Sequence, residues 1–236
     1  MKLQFIGCGS AFTTPEYWQS NALITADSGK KLLIDCGGDV RHALSELEMS
    51  YMNINAIYIS HLHADHIDGL EWMSLNSYFD PRYKVEHGGR PLLYTVKSIM
   101  GPLWTAIKGG HETIQGQIAN LTTFYDCKPV SINKSFEWEN ITFTPVQTVH
   151  IMSGYKICYS FGLLIKEGNG PTVFFTADTQ FAPNQLKDFY TPADIIFHDC
   201  ETGFMSRVHA HFDELKTLDP SVKGKMWLYH YQPNPP

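Results

Sequence analysis

The chain has 236 residues, of which 43% are hydrophobic and 18% are charged, proportions that fit an ordinary globular protein with one domain spanning residues 1–236. The formal net charge of −6 argues against a long nucleic acid as partner, because proteins that bind one normally present a basic surface. No apolar run approaches the ~20 residues of a membrane span, and no secretion signal begins the chain, so we expect a cytoplasmic protein.

Hydrophobic periodicity predicts strands and helices in alternation. In the first half, strands are predicted at 2–6, 20–25, 31–35, 56–60 and 92–95. Helices are predicted there at 38–48, 69–78 and 96–107, the last interrupted at Gly101-Pro102. Residues 121–175 are predicted mostly as strand, with a hairpin turn at 167–170. Helices at 184–190 and 211–218 and strands at 194–198 and 226–229 complete a mixed α/β pattern.

Four potential metal ligands lie within the six residues His61-Leu62-His63-Ala64-Asp65-His66, directly after the predicted strand 56–60. Imidazole nitrogens and carboxylate oxygens are the donors that suit Zn²⁺, and also Mn²⁺ or Fe²⁺. The end of a strand is a rigid place from which to present them. The segment therefore predicts a metal site.

Three further donors follow apolar runs of strand length later in the chain. His150 ends the predicted strand 143–149, Asp178 follows the apolar run 173–175, and His230 follows the strand 226–229. The end of a strand is a position from which each of these side chains could be presented as a ligand.

The H-x-H-x-D-H pattern, followed in order by two histidines around an aspartate, resembles the signature of the metallo-β-lactamase fold superfamily. The resemblance implies an α/β fold of the αββα sandwich type and two divalent ions per chain, Zn²⁺ with Mn²⁺ as the alternative. It implies that Asp178 bridges the ions. It further implies three other ligands for each: His61, His63 and His150 for the first, and Asp65, His66 and His230 for the second.

A second resemblance concerns the residues beside the ligands. Residues 198–202 and 207–212 are similar to the H-E-A-T and H-S-T segments of tRNase Z-type enzymes, although Cys200 departs from the first and Ala210-His211 replaces Ser-Thr in the second. The resemblance implies that His209 acts on the phosphate with Asp199 as its partner; His211 is the competing candidate. The expected catalytic residues are Asp65 and His209. The loop 7–10 also resembles the Gly-rich opening of such chains.

The tRNA-binding arm of tRNase Z enzymes is basic, and this chain has no Lys/Arg-rich insertion. In length and in the segments just described, the chain resembles the phage-associated anti-Pycsar family. That resemblance implies a phosphodiesterase that hydrolyses cyclic pyrimidine mononucleotides such as cCMP and cUMP, and possible further substrates are cAMP and cGMP. It also implies a homodimer acting in the host cytoplasm against antiphage signalling.

Three alternatives remain open at this point. One is a tRNase Z-like endonuclease that processes RNA 3′ ends, and another is a lactonase or β-lactamase-like hydrolase. The third is a non-catalytic binding protein on the same fold. Aromatic residues between positions 76 and 120, Tyr83 and Trp104 among them, could stack a nucleobase or form part of the core.

Overall fold

The computed structural model describes the whole chain, Met1 to Pro236. The chain forms two compact units, the first of residues 1–7 and 18–131 and the second of residues 8–17 and 132–236. Both contain strands and helices, as the predicted α/β class requires. None of the helices has the length and apolar character needed to cross a bilayer. That residues 1–236 form one domain stays a prediction.

The first unit is built on a six-stranded mixed sheet in the order β1-β2-β3-β4-β5-β8, with β6 and β7 as a separate small hairpin. The strands are β1 (Lys2–Gly7), β2 (Asn21–Thr25), β3 (Lys31–Ile34), β4 (Ala56–Tyr58), β5 (Leu92–Val96), β6 (Thr113–Ile114), β7 (Gln117–Ile118) and β8 (Asp126–Val130). Strands β1 to β3 pair antiparallel, and β3, β4, β5 and β8 pair parallel. Since β3 and β4 run parallel, the residues that follow them leave the sheet at the same edge.

Six α-helices complete the first unit: α1 (Val40–Glu46), α2 (Ala64–Ile67), α3 (Leu70–Phe79), α4 (Pro81–His87), α5 (Lys97–Ile107) and α6 (Leu121–Phe124). Three of them, α2, α4 and α6, are not among the predicted helices. Asp80 accepts a hydrogen bond from the first turn of α4, and Asn120 forms a capping box with α6. Good caps thus start short helices where hydrophobic spacing predicts none.

The predicted interruption of α5 at Gly101-Pro102 is wrong, because the helix continues through Pro102. The proline lacks the N–H that would bond to the carbonyl of Ser98, so one helical hydrogen bond is lost. Ile99 and Leu103 of the same helix are buried. Their packing holds the helix together across the missing bond.

The second unit is built on another six-stranded mixed sheet. Its strands are β9 (Phe136–Trp138), β10 (Ile141–Ser153), β11 (Lys156–Glu167), β12 (Val173–Phe175), β13 (Ile195–Asp199) and β14 (Met226–Tyr229). They lie in the order β14-β13-β12-β11-β10-β9. Strands β9 to β12 pair antiparallel, and β12 to β14 pair parallel. The carboxyl ends of β12, β13 and β14 therefore share one edge, and two of the predicted ligands, Asp178 and His230, follow β12 and β14.

Three helices accompany this sheet: α7 (Pro183–Tyr190), α8 (Phe212–Leu215) and α9 (Pro220–Lys223). Helix α8 is shorter than the predicted 211–218. Helix α7 packs on the sheet through a cluster of Val146, Phe174, Leu186, Tyr190, Ala193 and Ile196. Where β11 passes β12, a Cβ atom on Gly162 would lie 2.4 Å from the carbonyl oxygens of Phe175 and Thr176. Only glycine lets these strands approach so closely.

Candidate metal ligands and active-site residues

The first unit brings all four donors of the histidine motif together. The segment leaves β4, and helix α2 begins within it, so that Asp65 and His66 lie in the first turn of that helix. Nε2 of His61 and Nδ1 of His63 are 3.1 Å apart, and Nε2 of His66 is 3.3 Å from Oδ2 of Asp65. His61, Asp65 and His66 are buried. A short helix at the end of a parallel strand thus collects the four donors.

Asp35, which follows β3, fixes the orientation of two of these histidines. Its buried carboxylate accepts hydrogen bonds from the amide and hydroxyl of Ser60 and from Nδ1 of His66, each at 2.8 Å. Because the Ser60 hydroxyl donates to Asp35, its oxygen accepts the Nδ1 proton of His61, 3.0 Å away. Both histidines therefore keep Nε2 as a lone-pair donor.

With these tautomers, the donor atoms of His66 and Asp65 are arranged as a cation would require. With its proton on Nδ1, His66 directs a lone pair from Nε2 at the Asp65 carboxylate, and two acceptor atoms at 3.3 Å repel each other. A cation held by both turns the repulsion into attraction, and nitrogen with oxygen is a donor set that suits Zn²⁺ and Mn²⁺. The first unit thus fits a divalent metal ion.

Two glycines allow the loop after β3 to pack against the ligand segment. A Cβ on Gly37 would lie 2.2 Å from the carbonyl oxygen of Asp65, and one on Gly69 would lie 2.3 Å from that of Gly37. The amide of Cys36 donates to the carbonyl of His66, and the Cys36 carbonyl accepts from Gly69. These contacts hold the backbone of Asp65 and His66, the two potential metal ligands in α2.

His150 occupies an irregular position within β10. The strand continues to Ser153, so the expectation that His150 ends a strand is wrong. The pairing with β11 shifts register between Val149 and Ile151, and such a bulge re-aims the side chain at that point. Nδ1 of His150 donates to the carbonyl of Val208 at 2.8 Å. Burial lowers the pKa of His150, which favours the neutral ring whose Nε2 can bind a metal.

Asp178 is the centre of the second unit's donors. Its Oδ2 lies 3.6 Å from Nε2 of His150 and 3.5 Å from Nε2 of His230. Asp178 and both histidines are buried. Ala177 and His230 adopt left-handed backbone angles, with φ of 52° and 65°. Strained backbone is found mainly where the surrounding structure fixes a functional side chain.

The Gly-rich loop at residues 7–10 holds the backbone next to His230. The carbonyl of Cys8 accepts the amide of His230 at 2.6 Å, and the amide of Ser10 donates to the carbonyl of Tyr231. Gly9 and Tyr231 form an isolated parallel bridge. The loop thus pairs with the residues that follow β14 and supports the left-handed turn at His230.

Asp199, the last residue of β13, is another buried carboxylate of the second unit. Its Oδ2 accepts the amide of Thr179 and Nδ1–H of His209, both at 2.8 Å, and its Oδ1 is 3.4 Å from Nδ1 of His230. Burial raises the pKa of Asp199, but the charge and hydrogen bond of His209 outweigh it, so the net shift is downward. Asp199 therefore stays ionised.

His209, the hydrogen-bond partner of Asp199, is suited to exchanging a proton. Burial lowers its pKa, but the charge and hydrogen bond of Asp199 and the charge of Asp178 outweigh that effect and raise the pKa overall. Its Nδ1 lies 3.9 Å from Oδ2 of Asp178. With Nδ1 committed to Asp199, Nε2 is the atom that can hold or donate a proton.

His211, the competing candidate, makes its hydrogen bonds at the start of α8. Its Nδ1 accepts the amide of Asp213, and its Nε2 donates to the carbonyl of Gly203 at 3.2 Å. Its amide also donates to Glu214 in a capping box. Both ring nitrogens are engaged in local structure, so the geometry favours His209.

Sequence reasoning missed Asp35 and Ser60. Each is one common residue at the end of a strand, without a spacing pattern of its own. The pairing of β3 with β4 was the available signal, because it brings the residues after both strands to one edge of the sheet. The aromatic residue Tyr83 is buried, with its hydroxyl bonded to the carbonyl of Ile54, and belongs to the core.

Solved structures with similar backbones share the metallo-β-lactamase fold. One is the metallo-β-lactamase fold protein YhfI from Bacillus subtilis, with a TM-score of 0.73 and 20% identity over 98% of this chain and 86% of that chain. Another is human tRNase Z, short form, with a TM-score of 0.70 and 17% identity over 98% and 93%. These similarities confirm the predicted fold class.

Sequence comparisons identify the family. The family model for anti-Pycsar protein Apyc1 matches residues 1–236. The anti-Pycsar protein Apyc1 of Paenibacillus harenae is 33% identical over 98% of this chain and 90% of its own length. That of Bacillus phage vB_BveM-Goe7 is 32% identical over 99% and 90%. The chain therefore belongs to the anti-Pycsar Apyc1 family.

Proposed function

We propose that this protein is a metal-dependent phosphodiesterase that opens 3′,5′-cyclic nucleotides to nucleoside monophosphates, with pyrimidine forms among its substrates. The observation that carries the proposal is the His209–Asp199 pair at 2.8 Å, beside the ligand Asp178, in a chain of the anti-Pycsar family. A histidine held by a carboxylate is suited to proton transfer at a phosphate ester.

The metal ligands in this proposal are those implied by the sequence signature. In this assignment Asp178 would be a ligand of both of two divalent ions, and each ion would be held by three further residues: His61, His63 and His150 for one, and Asp65, His66 and His230 for the other. When bound, two such ions supply positive charge for the phosphate oxygens and lower the pKa of a water molecule, so that a nucleophile is available at neutral pH. Four positive charges against two ligand carboxylates favour an anionic substrate.

The residues of the chain contribute to three parts of the reaction. Asp65 would hold a metal ion and has a carboxylate oxygen that can accept a proton of the attacking water. His209 donates the proton on Nε2 to the O3′ atom as the P–O3′ bond breaks, which opens the ring. Asp199 keeps Nδ1–H of His209 in place and stabilises the imidazolium before transfer. The product is a nucleoside 5′-monophosphate.

Two further features support a small cyclic substrate in the cytoplasm of a phage host. The net charge of −6 makes the approach of a long polyanion unfavourable, whereas a mononucleotide has one phosphate charge. Relatives named anti-Pycsar protein occur in phages, including Bacillus phage vB_BveM-Goe7. The biological role proposed for this chain is accordingly the removal of a cyclic-nucleotide signal that the host uses against phages.

The first prediction concerns the bond from His61 to Ser60. Replacing Ser60 with alanine removes the acceptor for Nδ1–H of His61, so that Nε2 is no longer fixed as the metal-binding atom. Loss of such a supporting bond typically costs 10–100-fold in metal affinity, and we expect at least tenfold. Competition with a fluorescent zinc chelator would measure it.

The matched control is Ser77→Ala, because Ser77 is a buried serine whose hydroxyl donates to helical carbonyls of Met73 and Ser74. The wild type and this control should each bind two ions per chain in elemental analysis. Equal zinc affinity in Ser60→Ala and Ser77→Ala would contradict the role of Ser60. A wild-type ratio that stays well below two after supplementation would rule out the dinuclear assignment.

The second prediction separates the two candidate histidines. His209→Ala should reduce kcat by about 10²–10⁴-fold, the usual contribution of a general acid, while metal content stays unchanged. His211→Asn should retain most of the wild-type kcat, because His211 serves the start of α8. Steady-state kinetics with a cyclic mononucleotide and metal analysis of the same samples would show this. A loss below threefold in His209→Ala would exclude it as the acid.

The third prediction concerns the substrate. Incubation of the metal-loaded protein with cCMP, cUMP, cAMP and cGMP should give the corresponding monophosphates, because the ring-opening step needs only one phosphodiester near the ions. Precursor tRNA and an acyl-homoserine lactone, as representatives of the alternative activities, should react poorly. Chromatography of the products would distinguish these outcomes. Efficient tRNA 3′-end cleavage with inert cyclic nucleotides would refute the proposal.

The fourth prediction concerns assembly, for which we propose a homodimer. The ribbon of β10 and β11 exposes large apolar side chains near its tip, Met152 and Tyr155 among them, and Tyr155 is fully exposed. Exposed apolar surface of this kind favours an interface. Light scattering should give twice the 26.8 kDa chain mass, and Met152→Lys/Tyr155→Lys should lower it. A wild-type monomer at micromolar concentration would contradict this.

A further inference from the structure

A cavity of about 420 Å³ opens on the first unit, at residues that play no part in the proposed reaction. It is lined by residues from the end of α3, from α4, from the turn that follows α4, and from the start of β8: Ser77, Tyr78, Lys84, Gly89, Arg90 and Asp126. None of them belongs to the metal-ligand signature. The volume lies within the ~300–1,000 Å³ range of small-molecule sites.

The charges around this cavity are mainly positive. Lys84 is exposed and forms no ion pair, so its ammonium group is available. Arg90 donates one N–H to the carbonyl of Thr122, which fixes the guanidinium and leaves its other donors for a ligand. The one carboxylate, Asp126, pairs with Lys128 at 2.8 Å. On a chain with a net charge of −6, this concentration of cations favours a small anion.

Tyr78 gives the cavity a fixed aromatic wall. Its ring packs edge-on against Phe79 and Phe124, with centroids 5.0 and 5.3 Å apart, and its hydroxyl accepts a hydrogen bond from the side chain of Gln117 at 2.7 Å. The side chain is nevertheless 37% exposed. A ring that is held on several sides and still exposed can stack a planar group at little cost in side-chain entropy.

We propose that this cavity binds a nucleoside monophosphate. Lys84 and Arg90 bind the phosphate, since an ammonium and a fixed guanidinium are the usual phosphate donors in proteins, and Tyr78 stacks the base. The proposal goes beyond the catalytic function, because the site needs neither the metal ions nor His209. It gives the protein a second nucleotide site for the class of molecule that cyclic-nucleotide hydrolysis produces.

Gly89 offers a way to fill the cavity without disturbing the fold. A Cβ on Gly89 meets no atom within 4 Å, and its φ is not positive, so a larger residue fits the backbone. The same is true of Gly109, which does not line the cavity. Gly89→Leu is therefore the test variant and Gly109→Leu its matched control. Lys84→Glu tests the charge, with Lys108→Glu as the control of equal net charge.

Equilibrium dialysis of the metal-loaded protein with radiolabelled UMP and AMP would test the proposal. Gly89→Leu and Lys84→Glu should each lose one bound equivalent per chain, or bind it at least tenfold more weakly, while Gly109→Leu and Lys108→Glu match the wild type. Tyr78→Ala should weaken UMP binding but leave inorganic phosphate binding unchanged. Thermal unfolding of every variant would verify that the fold is retained.

Two results would overturn the proposal. Nucleotide binding that is equal in Gly89→Leu and Gly109→Leu would place no ligand in the cavity. Inorganic phosphate binding as tightly as UMP would show that Tyr78 contributes nothing, and the site would not be a nucleotide site. The two proposals have separate readouts. Gly89→Leu should keep the wild-type kcat/KM for cyclic nucleotides while it loses the second bound nucleotide. If the wild type failed to hydrolyse cyclic nucleotides, the catalytic proposal would be refuted, and the dialysis result would still decide whether the cavity binds a nucleotide.

Discussion

The arrangement of functional groups depends on two buried carboxylates, Asp35 and Asp199, each of which accepts a hydrogen bond from Nδ1–H of a histidine. An isolated buried charge is costly, but Asp35 accepts three hydrogen bonds, two of them from Ser60, and Asp199 accepts from Thr179 and His209. Each carboxylate is therefore stable where it is and fixes which ring nitrogen carries a proton. Without these hydrogen bonds, either ring nitrogen of each histidine could carry the proton, and the nitrogen that presents the lone pair would not be fixed.

The backbone is strained where these groups are placed. Asp35, Ala177 and His230 all have positive φ between 52° and 65°, a conformation that costs a non-glycine residue of order 1–3 kcal/mol. The strain persists because hydrogen bonds to neighbouring segments hold the chain in place. The amide of Asp35 donates to Tyr58 of β4, and that of His230 donates to Cys8. The rigid sheets thus hold turns that direct three functional segments away from strand ends.

The sequence predicts features that depend on neighbouring residues, and it does not predict those that depend on contacts between distant segments. The histidine motif is a pattern of residue types within six positions, and the fold family follows from it. The sequence resemblance favours His209 over His211, but the structural reason is that the His211 ring caps α8, which a sequence pattern does not show. The bulge at His150 is a change of strand register, which alternation of polar and apolar residues does not encode. Asp35 becomes visible only once β3 and β4 are paired.

The net negative charge of the chain is compatible with an anionic substrate because its carboxylates lie in different surroundings. The charge of Asp199 is offset by His209 through a direct hydrogen bond, and the charge of Asp35 is stabilised by hydrogen bonds from Ser60 and His66. Asp65 and Asp178 are the two carboxylates in the proposed ligand set, and two divalent ions would exceed their charge. The remaining acidic residues act at longer range, where salt screens them within about 10 Å. In the proposed function, local charge therefore decides what the site attracts, and the net charge disfavours large polyanions.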